Sequence, residues 1–376
     1  MDTRFPALAD LRKRAQKRMP HFVWEYLDSG TGSEATVARN RAALDAIILR
    51  PAILKGEVET NLQTSLFGQT YSAPFGMAPV GMSGMMWPNA ERTLADIAAA
   101  QDIPFCMSNV ATRTPEDMAP HIGSMGWFQL YAPRDADIRN DMLKRIWDAG
   151  FHTLVFTVDV PVASRRERQR RGGLTHPPRL TPRILAHMMA RPAWAWGSLR
   201  HGMPRLRFIE SYSDHRGPLP STAHIGYLLR TSPDWHYIDA LRKDWPGNLV
   251  IKGVQNPDDA TRLVDAGADG IWISNHAGRQ FDAGPAASDC IPAIRASLGP
   301  DIPIIYDSGI ETGLDILRAM ALGADFAMLG RGFHYGLGAF GKRGAQHVIH
   351  ILREDMICNM GQMGIRAPQD VREFRA

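Results

Sequence analysis

Gly270-Ile271-Trp272-Ile273-Ser274-Asn275-His276-Ala277-Gly278-Arg279-Gln280-Phe281-Asp282 is the stretch that decides the fold. Gly270 to Ile273 reads as a buried strand, and the apolar run then breaks into Ser274, Asn275, His276, Arg279 and Asp282 within nine residues. An imidazole, a guanidinium and a carboxylate thus share one strand end and the loop after it, the place where an α/β barrel keeps its chemistry. A neutral histidine takes up a proton near pH 7, and a guanidinium grips a carboxylate through two parallel hydrogen bonds. Together they suit a substrate that carries an acid group and loses a proton. An isolated histidine would read first as a core residue; the spacing here favours a site.

On either side of this strand the chain alternates short apolar runs with helix-like stretches, the pattern of a parallel sheet with crossover helices. Eight strands are predicted: Phe75 to Val80, Pro104 to Asn109, Gly126 to Tyr131, Thr153 to Asp159, Asn248 to Val254, Gly270 to Asn275, Pro303 to Ser308 and Phe326 to Gly330. Eight strands close a (β/α)8 barrel, and nearly every one ends in polar or glycine residues, which a doubly wound sheet does not require. Residues 1 to 60 are helical in character, with Leu8, Leu11 and Ala15 at helix spacing and Phe22-Val23-Trp24-Glu25-Tyr26-Leu27 continuing the pattern after Pro20, until Gly30 and Gly32 stop it. The expected architecture is therefore a single barrel domain over 1–376 with an N-terminal helical extension.

The gap between the fourth and fifth strands holds about ninety residues where one crossover helix would do. Within it, 161–216 carries twelve arginines against Glu167, Glu210 and Asp214, a local charge of +9 in a chain whose net charge is +4. Leu180 to Ala190 and Trp194 to Met203 mix Trp, Met and Leu with these cations, which suits a segment lying on an anionic bilayer surface. A helical lid packed on the barrel is the plainer alternative. A nucleic-acid patch is the remote one, and no nucleic-acid partner is expected. Cys106, Cys290 and Cys358 lack CxxC spacing and read as reduced thiols of a cytoplasmic protein. Met1-Asp2-Thr3-Arg4-Phe5-Pro6 is not a signal peptide, and no run of ~18 apolar residues spans a membrane.

Ser274-Asn275-His276-Ala277-Gly278-Arg279-Gln280-Phe281-Asp282 resembles the signature of the FMN-dependent L-2-hydroxy acid oxidase and dehydrogenase family, and the likeness runs from about Pro20 to about Gly341. The tract around Arg191 to Trp196 is similar to the insertion of the membrane-associated lactate and mandelate dehydrogenase branch. The resemblance implies an FMN enzyme that oxidises an L-2-hydroxy acid to the 2-oxo acid. His276 would take the substrate's α-proton or hydroxyl proton, oriented by Asp159. Arg279 would bind the substrate carboxylate with Arg166 as a second cation, and Tyr26 and Tyr131 would donate hydroxyls. Ala78, Pro79, Val80, Gly81, Ser108, Gln129, Thr157, Lys252 and Ser274 would surround the flavin ring. Asp307, Gly309, Gly330 and Arg331, at the seventh and eighth strand ends, would hold its phosphate.

Four departures from the family pattern stand out. Ala277 replaces a glycine, and Phe281 replaces a leucine and reads as packing. Val110 stands where plant glycolate oxidase has a wall tryptophan, which widens the expected substrate range. Glu311 stands where an arginine is usual, so either a compensating arginine or weaker FMN retention is expected. Gly81 and the basic insertion favour a dehydrogenase that passes electrons to a quinone or other acceptor, peripheral on the inner face of the cell membrane. The resemblance also implies a homo-oligomer, a tetramer. A soluble oxidase releasing hydrogen peroxide is the alternative, and a non-catalytic barrel acting as a binding protein is the distant one. No metal is expected.

Overall fold

Each predicted strand forms, because each is an apolar run that a parallel sheet buries on both faces. The computed structural model describes residues 1–173, 181–212 and 230–375. The chain begins with helices α1 (Leu8–Arg18), α2 (His21–Asp28) and α3 (Ala35–Asp45), followed by a hairpin of β1 (Thr64–Leu66) and β2 (Gln69–Tyr71). Then β3 (Phe75–Met77), α4 (Ser83–Met86), α5 (Ala90–Ala100), β4 (Phe105–Ser108), α6 (Pro115–Ile122), β5 (Gly126–Leu130), α7 (Ala136–Asp148) and β6 (Thr153–Thr157) alternate. The insertion contributes α8 (Glu167–Arg171), α9 (Pro182–Met189), α10 (Pro192–His201) and α11 (Arg207–Glu210). The alternation resumes with α12 (Trp235–Asp244), β7 (Asn248–Val254), α13 (Pro257–Asp265), β8 (Gly270–Ile273), α14 (Ile291–Leu298), β9 (Ile304–Tyr306), α15 (Gly313–Leu322) and β10 (Phe326–Leu329). Helices α16 (Arg331–Phe340) and α17 (Lys342–Met363) end the chain's regular structure.

Strands β3 to β10 close a barrel in the order β10-β3-β4-β5-β6-β7-β8-β9, every neighbour parallel. The strands end one to three residues before the predicted boundaries at most positions, since their last polar residues leave the ladder and turn into the site. The barrel interior is filled at its lower end by Trp127, Trp272 and Phe326, with ring centroids 6.3–6.5 Å apart around Trp127. Tyr71 and Phe67 of the hairpin, which was not anticipated, pack on the same cluster from below, and the Trp127 indole donates to the Tyr71 hydroxyl at 3.1 Å. The outer core lies between strands and helices, where caps fix the helix starts: Thr114, Asp135, Asp234, Asn256 and Thr312 each accept from a first-turn N–H.

The last two helices cross through glycines, and a Cβ on Gly344 would lie 2.0 Å from the Gly336 carbonyl oxygen. Backbone atoms cannot yield as a side-chain tip does. Gly344→Ala is expected to destabilise the fold by about 2 kcal/mol through overpacking, read as a lowered urea midpoint with unchanged slope.

The insertion is partly a packed lid and partly a free surface. Ile184, Trp194 and Ser198 are buried, and the Trp194 indole donates to the Met85 carbonyl at 2.9 Å. Trp194, read from sequence as a surface anchor, is therefore a core residue. Leu185, Met189, Trp196, Leu199 and Met203 are exposed, Trp196 at 70 % and Leu199 at 78 %. The parts of 161–216 numbered 174–180 and 213–216 lie outside the described residues. Among the described residues no helix is long and apolar enough to cross a membrane. Cys106 and Cys290 are buried, Cys358 is exposed, and all three are free thiols.

Candidate active site

The strand ends converge on one cavity of about 470 Å³ at the C-terminal end of the barrel. Ala78, Pro79, Val80 and Gly81 after β3, Ser108 of β4, Gln129 and Tyr131 at β5, Thr157 of β6 and Lys252 of β7 line it. So do His276 and Arg279 after β8, Asp307 and Gly309 after β9, and Gly330 and Arg331 after β10. Tyr26 arrives from α2 and Arg166 from the loop before α8. Asp159 and Ser274 stand one layer behind, each against a lining residue.

The loop after β8 is strained in a way its sequence only half explains. His276, Ala277 and Gly278 all have positive φ, at 56°, 54° and 71°. Glycine is at ease there; histidine and alanine are not, so the turn needs outside support. Ser308 Oγ accepts from the Ala277 N–H at 3.0 Å, Ser274 Oγ accepts from the His276 N–H at 3.0 Å, and Asn275 Oδ1 accepts from the Gly278 N–H at 3.2 Å. Asn275 is locked in turn to Asn40 of α3 by hydrogen bonds of 2.6 and 2.9 Å. The methyl of Ala277 thus sits in a left-handed position where the family's glycine would cost nothing.

His276 Nδ1 lies 3.2 Å from both carboxylate oxygens of Asp159. Gly253 makes this approach possible: β7 bulges there with φ +102°, and a Cβ would lie 2.5 Å from the Asp159 Cβ. Burial pushes the His276 imidazole below the ordinary histidine value, Asp159 opposes that, and Lys252 and Arg166 reinforce it. Burial works to raise Asp159, but the His276 pairing with Lys252 behind it outweighs burial and keeps the carboxyl below its ordinary value. The resting pair is a neutral imidazole donating Nδ1–H to a carboxylate, which leaves Nε2 as the basic nitrogen.

Arg279 has no carboxylate partner among the described residues. Its Nη1 donates to the carbonyls of Tyr26, Leu27 and Ser29 at 2.7, 3.2 and 3.3 Å, and its guanidinium lies 5.2 Å from the Tyr26 ring centroid. Burial, with repulsion from Arg166 and Arg331, pushes it down to about 9. Arg166 is held by Ser164 at 3.1 Å. Asp282 does not join this cluster: it accepts from the Ser33 and Thr36 N–H groups, each at 2.9 Å, and holds the start of α3. Asp159 is the carboxylate beside the histidine. Phe281, expected to pack, is 68 % exposed.

Lys252 is tied into a polar cluster beneath the cavity, and Asp307, expected to help hold the phosphate, belongs to this cluster instead. The Lys252 Nζ donates to Ser274 Oγ at 2.7 Å and pairs with Asp307 at 2.9 Å, while Ser274, Ser308 and the Trp272 indole also donate to Asp307. Among the described residues four buried polar atoms of the cavity wall have no partner: Gln129 Nε2, Thr157 Oγ1, Gln169 Oε1 and Arg331 Nε. Unpaired buried polar groups around one cleft call for a polar ligand, and they fit a flavin with a phosphate tail. Val110 occupies the space over Gly81, its Cγ2 2.7 Å from where an alanine Cβ would stand. Glu311 is exposed on the cavity rim and donates its N–H to Asp315 at 3.0 Å.

Several lining residues carried no readable sequence signal: Arg12, Val37, Arg41, Val160, Leu206 and Tyr335. They come from the N-terminal helices, the insertion and α16, and only the closed fold brings them to the strand ends.

A family model described as FMN-dependent dehydrogenase matches residues 15–375. An L-lactate dehydrogenase of Pseudomonas paraeruginosa is 39% identical over 365 residues, 96% of this chain and 95% of the relative. The crystal structure of a monotopic membrane protein, (S)-mandelate dehydrogenase, superposes with TM-score 0.93 at 32% identity, covering 98% of both chains. A lactate oxidase structure from Pediococcus acidilactici reaches 0.83 at 27%, covering 98% of this chain and 94% of that one.

Proposed function

The chain belongs to the FMN-dependent dehydrogenase family, and from that premise we propose that the barrel-end cavity is where an L-2-hydroxy acid binds through Arg279 and loses a proton to His276. The protein is an FMN-dependent oxidoreductase that converts a lactate- or mandelate-like L-2-hydroxy acid to its 2-oxo acid. The observation that carries the assignment of roles is the His276–Asp159 pair beside an arginine that has no carboxylate partner among the described residues.

FMN, when bound, takes up the two electrons the substrate loses. Gln129, Thr157 and Lys252 would hold its ring, with Ala78 to Gly81 and Ser108 also in the lining, while Ser274 and Asp307 orient Lys252. Gly309, Gly330 and Arg331 hold its phosphate. The Arg279 guanidinium would receive the substrate carboxylate, Arg166 would add a second positive charge, and Tyr26 and Tyr131, both in the cavity lining, would donate hydroxyls. Nε2 of His276 accepts the proton from the C2 centre or its hydroxyl, and Asp159 stabilises the resulting imidazolium through Nδ1. Val110, Val160 and Leu206 form the apolar wall, which suits a substrate side chain beyond two carbons. The test is anaerobic: L-lactate and L-mandelate added separately to the yellow protein. Bleaching of the flavin band by either acid is expected; a loaded protein that no 2-hydroxy acid reduces would overturn the assignment.

We further infer a peripheral membrane position and a quinone acceptor. Leu185, Met189, Trp196, Leu199 and Met203 expose an apolar face among Arg183, Arg191 and Arg200, which suits an anionic bilayer. A relative of the same fold is a monotopic membrane protein. Burying a side chain of this size is worth about 2 kcal/mol. The double variant Trp196→Ser, Leu199→Ser is therefore expected to weaken binding to anionic vesicles at least tenfold, read by co-sedimentation, while anaerobic flavin reduction is unchanged. A homotetramer remains the oligomeric state suggested by the family resemblance, checked by light scattering.

A further inference from the structure

We propose that Arg12, on the N-terminal helix α1, is a phosphate-binding residue of the FMN site, positioned by Asp28. The proposal rests on the FMN assignment and adds a binding residue to it. A phosphate monoester carries roughly −1.5 to −2 charges at neutral pH. The cavity end formed after β9 and β10 must balance that charge, yet Glu311 opposes it on the same rim. Three arginines line this end: Arg12, Arg41 and Arg331.

Their hydrogen bonds separate them. Arg41 is consumed: its Nη1 and Nη2 each reach Asp315 at 2.7 Å, Nη2 also reaches Asp45 at 2.7 Å, and Nη1 donates to the Gly309 carbonyl at 3.0 Å. Arg331 spends Nη2 on the Ala277 and Ser29 carbonyls, leaving a buried Nε without a partner. Arg331 alone would meet the phosphate from a lining that also carries Glu311. Arg12 engages only its Nε, with Asp28 at 2.8 Å, and among the described residues its two Nη groups make no hydrogen bond.

Asp28 is well fixed for this task. It is buried, and it accepts from the Tyr335 hydroxyl at 2.8 Å and from Arg168 Nη2 at 3.1 Å. Burial works to raise its carboxyl, but Arg12 and Tyr335 keep it below the ordinary value, so it stays ionised. A carboxylate that grips Nε orients a guanidinium so that its fork faces away. The Tyr335 ring, 5.9 Å from the Arg12 guanidinium carbon, limits its other face. Asp28 raises the Arg12 guanidinium first, and Glu311, which lines the same cavity, adds a smaller attraction. Arg12, whose formal charge is shared with Asp28, thereby offers the uncommitted Nη donors that make it the compensating arginine for Glu311.

The experiment compares FMN with riboflavin, which lacks the phosphate. Full-length wild type, Arg12→Gln, Arg12→Lys and Glu311→Gln are loaded with either flavin, and release on dilution is followed by flavin fluorescence. For FMN, Arg12→Gln is expected to raise Kd about tenfold, the loss of one charge-assisted contact, and Arg12→Lys about threefold. Glu311→Gln is expected to lower it severalfold, and riboflavin should change less than twofold in every variant. FMN affinity within twofold of wild type in Arg12→Gln would overturn the proposal, as would equal losses for FMN and riboflavin, which would mean that Arg12 only shapes the cavity. Wild type that holds neither flavin would instead overturn the FMN assignment itself.

Discussion

His276→Gln is expected to slow substrate-driven flavin reduction by about 10³–10⁴-fold while the protein remains yellow, the loss associated with removing a positioned base. Glutamine keeps much of the side-chain volume and a donor that reaches Asp159, so the left-handed turn at 276–278 retains its supports from Ser274, Ser308 and Asn275. What disappears is a basic nitrogen facing the cavity. Stopped-flow reduction separates this from a binding defect, since the limiting rate should collapse with little change in half-saturation. In the wild type the base works only when neutral. Because burial holds His276 below the ordinary histidine value, activity should persist into weakly acidic solution and be lost as pH falls through that lowered value. Asp159 raises the imidazole, so Asp159→Asn should move the acid limb further down while lowering the plateau. An unmoved limb would show that another group controls it.

Arg279→Met is expected to reduce kcat/KM for the hydroxy acid by about 10³-fold, mostly through KM, by removing the charged partner of the carboxylate. The native guanidinium is buried against three carbonyls and a ring, with Arg166 and Arg331 nearby, and burial pushes it down to about 9. It stays cationic at neutral pH, yet its charge is compensated only in part. A carboxylate ligand completes it. The wild type should therefore prefer a 2-hydroxy carboxylate over the matching neutral amide by a wide margin, and the variant should bind the two nearly alike. A variant that still discriminates would transfer the role to Arg166.

The barrel was legible because β3 to β10 are each apolar runs ended by a polar or glycine residue, and a parallel sheet buried on both faces demands that pattern. The polar groups after β8 were legible for the same reason. Asp159 was legible as a polar strand end, but its role entered only through family resemblance, since nothing in its own neighbourhood marks a partner 117 residues away. Local pattern misled at Asp282, which shares the loop but caps α3, and at Trp194, which shares a basic tract but packs inside. Arg12 was invisible altogether. On an amphipathic helix amid Lys and Arg it reads as a solvated face, and only its bond to buried Asp28 distinguishes it.

The floor of the barrel carries a kinetic consequence. Phe67, Tyr71, Trp127, Trp272 and Phe326 seal the end opposite the cavity, so nothing reaches the site through the barrel axis. The hydroxy acid, the 2-oxo acid and any acceptor that must touch the cofactor would approach, as far as the described residues show, from the C-terminal end of the barrel. Shared access from one end favours half-reactions that alternate, the first product leaving before the acceptor approaches, and steady-state kinetics with parallel double-reciprocal lines are the expected result. The aromatic plug that stabilises the fold thus also sets the order in which molecules come and go.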